Sequence, residues 1–129
     1  MTNGYRVEAK KWLDKARSDL RHAKSSINLG DFDWAQTAAQ QSAEKALKAV
    51  CIFKEIGLVK IHELSVLARK LNAPKEIMEK TGLLSSFYSA SRYPDAQELF
   101  NDDQNKKAAI DAVESSEFVL KWCEKQIRI

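Results

Sequence analysis

Between about Val7 and Leu29, apolar side chains recur at Ala9, Leu13, Ala16, Leu20, Ala23 and Ile27. Alternating steps of four and three keep them on one stripe of a helix. Gly30 offers the left-handed stop, and Asp33 with Gln36 forms the outline of a capping box for a second helix over about Asp33 to Ile56. A turn this tight makes the two helices antiparallel neighbours. The second helix would bury Ala35, Ala39, Ser42, Ala46, Ala49 and Phe53, and so many small residues let another helix axis come close. Gly57 is expected to end it. His62 to Leu71 carries Leu64, Leu67, Ala68 and Leu71 at helical spacing and predicts a short third helix.

Asn72 can cap a fourth helix with Pro74 in its first turn, and Gly82 is expected to interrupt that helix before Leu84, Phe87 and Tyr88. Pro94 disfavours helical geometry at Tyr93. Asn101, Asp102 and Asp103 then offer caps for a last helix running to the C-terminus. It repeats Ala109, Val113, Ser116, Leu120, Cys123 and Ile127 on one stripe, with Phe118 and Trp122 on a second face that suggests another packing partner, such as a second copy. The expected fold is all-α: an antiparallel up-and-down bundle of about five helices, four long and one short.

Composition narrows this further. The 129 residues suit a single domain over 1–129, and 4 Gly and 2 Pro leave little material for the turns of a many-stranded fold. No apolar run approaches the roughly 20 residues of a membrane span, and no signal-peptide core opens the chain, so the protein is expected in the cytoplasm, away from the membrane. Cys51 and Cys123 sit within apolar helical patterns and read as small buried hydrophobes rather than a disulfide. The net charge of +3 is mild, although Arg6 to Lys24 holds seven basic residues against three acidic ones.

The chain lacks a glycine-rich phosphate loop, a nucleophile elbow, an HExxH pair and a cysteine cluster, which removes most enzyme classes. No cofactor is expected, and no metal either, since Asp95, Glu98, Asp102 and Asp103 are explained by helix capping. The densest cluster is Phe87-Tyr88-Ser89-Ala90-Ser91-Arg92-Tyr93-Pro94-Asp95. A guanidinium beside a phenol can clamp a phosphate while the ring stacks on a base. Equally, Arg92 could pair with Asp95 and the tyrosines could be core. A second cluster runs from Gln40 and Gln41 to Glu44, Lys45 and Lys48; Glu44 and Lys48, at i, i+4, would form a solvated ion pair, and a buried glutamine would need a partner.

Five segments in this order resemble the HEPN family, named for higher eukaryotes and prokaryotes nucleotide-binding: Trp12 to Leu20, Gly30-Asp31-Phe32, Ala39-Gln40-Gln41 through Glu44-Lys45-Ala46-Leu47-Lys48-Ala49, His62-Glu63-Leu64, and Tyr88 through Asp95. The resemblance implies a homodimeric helical bundle, often paired with a minimal nucleotidyltransferase in a toxin–antitoxin arrangement, that binds nucleotide or RNA. Many relatives are metal-independent ribonucleases through an Arg followed four to six residues later by His. Counted from Arg92, those positions hold Gln97, Glu98 and Leu99, and none can titrate near neutral pH as imidazole does. Arg17 and His22 have the right separation on the first helix, but five residues turn 500°, so their side chains diverge by about 140°.

Three readings follow. The chain is a binding module contacting its ligand through Arg92, Tyr93 and Tyr88, with Lys45, Lys48 and Gln41 as further contacts. Alternatively it is an endoribonuclease toxin in which Arg92 clamps phosphate and His62, or a partner-chain residue, moves protons. The third reading is a helical adaptor that binds protein alone.

Overall fold

A computed structural model describes residues 3–57, 60–92 and 102–128. It contains α1 (Asn3–Asn28), α2 (Phe32–Phe53), α3 (Leu64–Lys70), α4 (Lys75–Arg92) and α5 (Asp102–Gln126), with no strand among the described residues. The all-α bundle predicted from periodicity is what forms. The predicted stripes are the buried ones: Ala9, Leu13, Ala16, Leu20 and Ala23 of α1, and Ala35, Ala39, Ala46 and Ala49 of α2, are sealed from solvent. Alanine on both sides of the α1–α2 seam lets the two backbones approach closely. Ser42 and Ser116, which fall on the apolar stripes, are fully buried and satisfied across helices: Ser42 Oγ donates to the Ala16 carbonyl and Ser116 Oγ to the Ala39 carbonyl, both at 2.7 Å.

Direction follows from contacts. Arg17 meets Glu124 and Lys24 meets Glu117, so α5 is antiparallel to α1. Lys80 lies over the Phe118 ring while Pro74 and Ile77 adjoin Trp122, so α4 is antiparallel to α5 and parallel to α1. The helices therefore run up, down, up, down, with α3 a short crossing piece between α2 and α4.

Several boundaries depart from the pattern. α1 begins at Asn3, four residues before the expected start near Val7, because a helix continues into solvent while its backbone bonds hold. Its end at Gly30 is as expected: Gly30 has φ +79°, its N–H bonds the Ile27 carbonyl, and the Asp31 N–H bonds Ser26. α2 starts at Phe32 behind Asp31, and the anticipated capping box does not form. Asp31 makes no side-chain cap bond, the Gln36 amide donates instead to the Phe32 carbonyl at 3.2 Å, and Asp33 Oδ1 is buried without a hydrogen-bond partner among the described residues.

α2 also stops short of Gly57. Glu55 takes the left-handed turn at φ 61°, with its N–H on Ile52 and that of Ile56 on Cys51, so the helix ends at Phe53, where its buried face runs out. α3 starts at Leu64, which leaves His62 in the preceding link. Asn72 does not cap α4; at φ 52° it closes α3, with its N–H on Arg69 and that of Ala73 on Ala68. Asparagine tolerates this conformation because its short polar side chain interacts locally. The Pro74 carbonyl instead accepts the first bond of α4, from Met78. Gly82 does not interrupt α4, which is continuous to Arg92. α5 stops at Gln126, with Ile127 tucked into the core beyond it.

Candidate functional site

Trp12 on α1, Glu44 and Lys48 one turn apart on α2, and His62 in the link before α3 converge on one flank of the bundle. The Lys48 side chain is only 5% exposed, and its ammonium is 3.1 Å from Glu44 Oε2 and 6.0 Å from the centre of the Trp12 ring. This is not the solvated pair that the i, i+4 spacing suggests. His62 Nδ1 lies 2.9 Å from the same carboxylate oxygen, and its side chain is 78% exposed. A protonated Nδ1 donating to Glu44 fits this geometry and turns Nε2 toward solvent. Lys48 Nζ, 3.4 Å from Nδ1, is then a second donor converging on the carboxylate. Glu44 thus holds a buried cation and an exposed imidazole in one place.

The other predicted residues are distributed differently. Lys45 reaches across to Asp19 of α1 at 2.6 Å, so its charge ties two helices together. Gln41 is exposed, while its neighbour Gln40 is buried. Arg17 is held by Glu124 and Asp14, which raise its already high pKa, and His22 stands exposed on α1, so the two do not converge. Arg92 is the last residue of α4 and Tyr88 lies one turn before it; their side chains, and all of Tyr93, Asp95 and Glu98, lie outside the described part. Among the described residues no group of three metal-ligating side chains forms.

Helix direction fixes how these parts relate. α4 runs parallel to α1, so Arg92 is carried to the end of the bundle where α1 turns into α2. Lys48 lies 17 residues down α2 from Asp31 in that turn, about 25 Å at 1.5 Å per residue. Within one chain, then, Arg92 and His62 are not brought together. Sequence spacing could not reveal this, because it depends on α4 running unbroken through Gly82.

Two further features complete the described surface and core. Phe118 is 41% exposed and, with Trp122, Pro74 and Ile77, lines an open groove of about 300 Å³ edged by Lys121 and Lys125. Both cysteines are buried, and burial raises their thiol pKa values, Cys123 the more strongly. No helix among the described residues is long and apolar enough to cross a membrane.

Comparison with known proteins gives a consistent result. Residues 9–126 match the family model described as HEPN domain. A crystal structure of a Thermus thermophilus protein superposes with a TM-score of 0.79 at 31% identity, covering 92% of this chain and 97% of that one. An archaeal HEPN homologue superposes with a TM-score of 0.77 at 27% identity, covering 93% and 98%. A HEPN domain protein from Thermotoga maritima gives 0.71 at 27% identity, covering 89% and 95%. Curated protein sequences returned no significant match.

Proposed function

Because the chain belongs to the HEPN family, we propose that it is a HEPN-type nucleotide- or RNA-binding module, acting as a homodimer beside a minimal nucleotidyltransferase-like protein in a toxin–antitoxin-like pair. Arg92 is the principal phosphate contact, with Tyr93 and Tyr88 supplying ring faces for a base. The observation that carries the choice of binding over cleavage is the separation of Arg92 from imidazole. Positions 97 to 99 hold Gln, Glu and Leu, and His62 is bound to Glu44 about 25 Å from the end of the bundle that Arg92 reaches. A phosphate clamp to which neither its own segment nor His62 of the same chain brings a proton carrier favours binding over cleavage.

The test is thermal unfolding of the full chain, wild type beside Arg92→Ala, with and without millimolar ATP, GTP or a short single-stranded RNA. A ligand present at a hundredfold excess over Kd adds about 2.7 kcal/mol to the folded state, enough for a shift of several degrees. The expected outcome is a ligand-specific rise that Arg92→Ala abolishes. A rise that survives the substitution would remove Arg92 from the site. The absence of any rise would leave the adaptor reading, with the Phe118–Trp122 groove as its first surface to probe. RNA cleavage that depends on Arg92 would instead establish the ribonuclease.

A further inference from the structure

α1 carries seven basic and three acidic residues, a net +4, which exceeds the +3 of the whole chain. The fold sorts these charges by face. Two basic residues turned toward α5 have acidic partners, Arg17 with Glu124 and Asp14 and Lys24 with Glu117, while Arg6, nearer the N-terminus, lies beside Phe53 and Glu55 with no ion pair among the described residues. Asp19, one of the helix's own acids, is taken up by Lys45 of α2. Lys10, Lys11, Lys15 and Arg21 are exposed and form no ion pair among the described residues. They spread over about 16 Å of helix axis, with His22 beside them. The acids left near this face are Glu8, near the N-terminal end, and Asp14, already bound to Arg17.

Every exposed residue from Lys10 to Ser25 is polar or charged, and the exposed apolar side chains that flank the stretch, Val7 and Leu29, stand singly at its two ends and form no patch. A protein interface needs an apolar core, and an interfacial membrane helix needs an apolar face to insert, so neither fits this surface. A row of uncompensated cations without an apolar anchor suits a nucleic-acid backbone, which offers regularly spaced phosphates and asks for charge alone. Resting on the RNA-binding reading given above, we infer that the outer face of α1 is a sequence-independent track for the phosphodiester backbone of RNA. It is separate from the Arg92 contact and continues the bound strand along the bundle.

The test is binding of the full chain to a labelled 20-nucleotide single-stranded RNA from 50 to 200 mM salt, with the same-sequence DNA as a second probe. Compared with wild type are Lys10→Gln/Lys11→Gln/Lys15→Gln/Arg21→Gln, a control that removes equal charge elsewhere (Lys75→Gln/Lys80→Gln/Lys121→Gln/Lys125→Gln), and Arg92→Ala. Each phosphate contact on a single strand contributes about 0.7 to the slope of log K against log salt, so the α1 variant should flatten that slope by about 2 to 3. The control should leave it close to wild type. RNA and DNA should share the slope, since the track reads phosphate. Circular dichroism and melting temperature confirm that each variant folds. An α1 variant with the wild-type slope, while Arg92→Ala weakens binding, overturns the track and leaves the module standing. Equal flattening in variant and control also overturns it, because net charge would then suffice. No RNA binding by wild type at 50 mM salt removes the RNA reading and the track together.

Discussion

Lys48 sits where an ammonium is costly: its side chain is almost wholly covered, and among the described residues only Glu44 offers it a full negative charge. Removing one partner of a buried pair leaves the other charge uncompensated, a loss of about 3–5 kcal/mol when both are fully buried. Glu44 is 17% exposed, which tempers the effect. Glu44→Ala is therefore expected to destabilise by about 1–3 kcal/mol. Lys48→Met should cost less, since it fills the same space with an apolar chain and leaves Glu44 with His62 and some water. Urea denaturation of both variants checks the order; equal losses would mean that the ammonium is not the stranded charge. The i, i+4 pair was legible in the sequence, but its burial was not. What covers it, Trp12 and His62, comes from another helix and from a link 14 residues further on. Tertiary packing alone brings them there.

At the level of single helices, local signals and tertiary demand disagree most at the glycines. Gly30 closes α1 because the chain needs a left-handed residue there, and the sequence announces it. Gly57 looked equivalent, yet Glu55 makes the turn, because α2 ends where its buried face ends and not where the next glycine falls. Gly82 was expected to break α4; instead it is an ordinary helical position, exposed, with nothing within 4 Å of where a Cβ would stand. Gly82→Ala should thus stabilise the protein by about 0.5–1 kcal/mol, since alanine gives up less backbone freedom in a helix. A shift in the urea midpoint to higher concentration at unchanged m-value checks it; a lower midpoint would show that α4 needs glycine's flexibility. The stripes of α1, α2 and α5 were read correctly because a 3.6-residue period in burial survives any choice of partner. Caps were read less well, as at Asp33 and Asn72, because a cap depends on where the next segment must go.

Across the whole molecule, α5 is fastened to α1 by charge as well as by packing. Lys24 holds the Glu117 carboxyl below the ordinary glutamate pKa through a 2.6 Å hydrogen bond. A carboxyl depressed in the folded state adds stability at neutral pH. That contribution starts to fade as pH falls past the ordinary value of about 4.3 and is gone below the lowered folded-state value. Both groups are partly exposed, so the effect is modest and weakened by salt. Glu117→Gln should flatten the acid side of a profile of melting temperature against pH between 7 and 3, with little change in shape above pH 6. Parallel curves for wild type and variant would mean that other carboxylates govern acid unfolding. Arg92 and His62 stand out as candidates in the sequence, whereas their separation does not, because it follows from helix direction.

That same fastening bears on the order in which the chain assembles. The α1–α2 hairpin closes through residues 26 apart, as in Ser42 with Ala16 and Lys45 with Asp19. The contacts that seat α5 on α1 join residues 93 and 107 apart. Closing the larger loop costs more chain entropy before any contact repays it. The hairpin should form the folding nucleus and α5 should dock after the barrier. Ser42→Ala should then slow folding with a φ-value above about 0.5, while Glu124→Gln should speed unfolding with a φ-value near zero. Stopped-flow chevrons decide it. If the order proves real, the last helix is the latch of the molecule, and its opening rate sets how long the native state survives a protease.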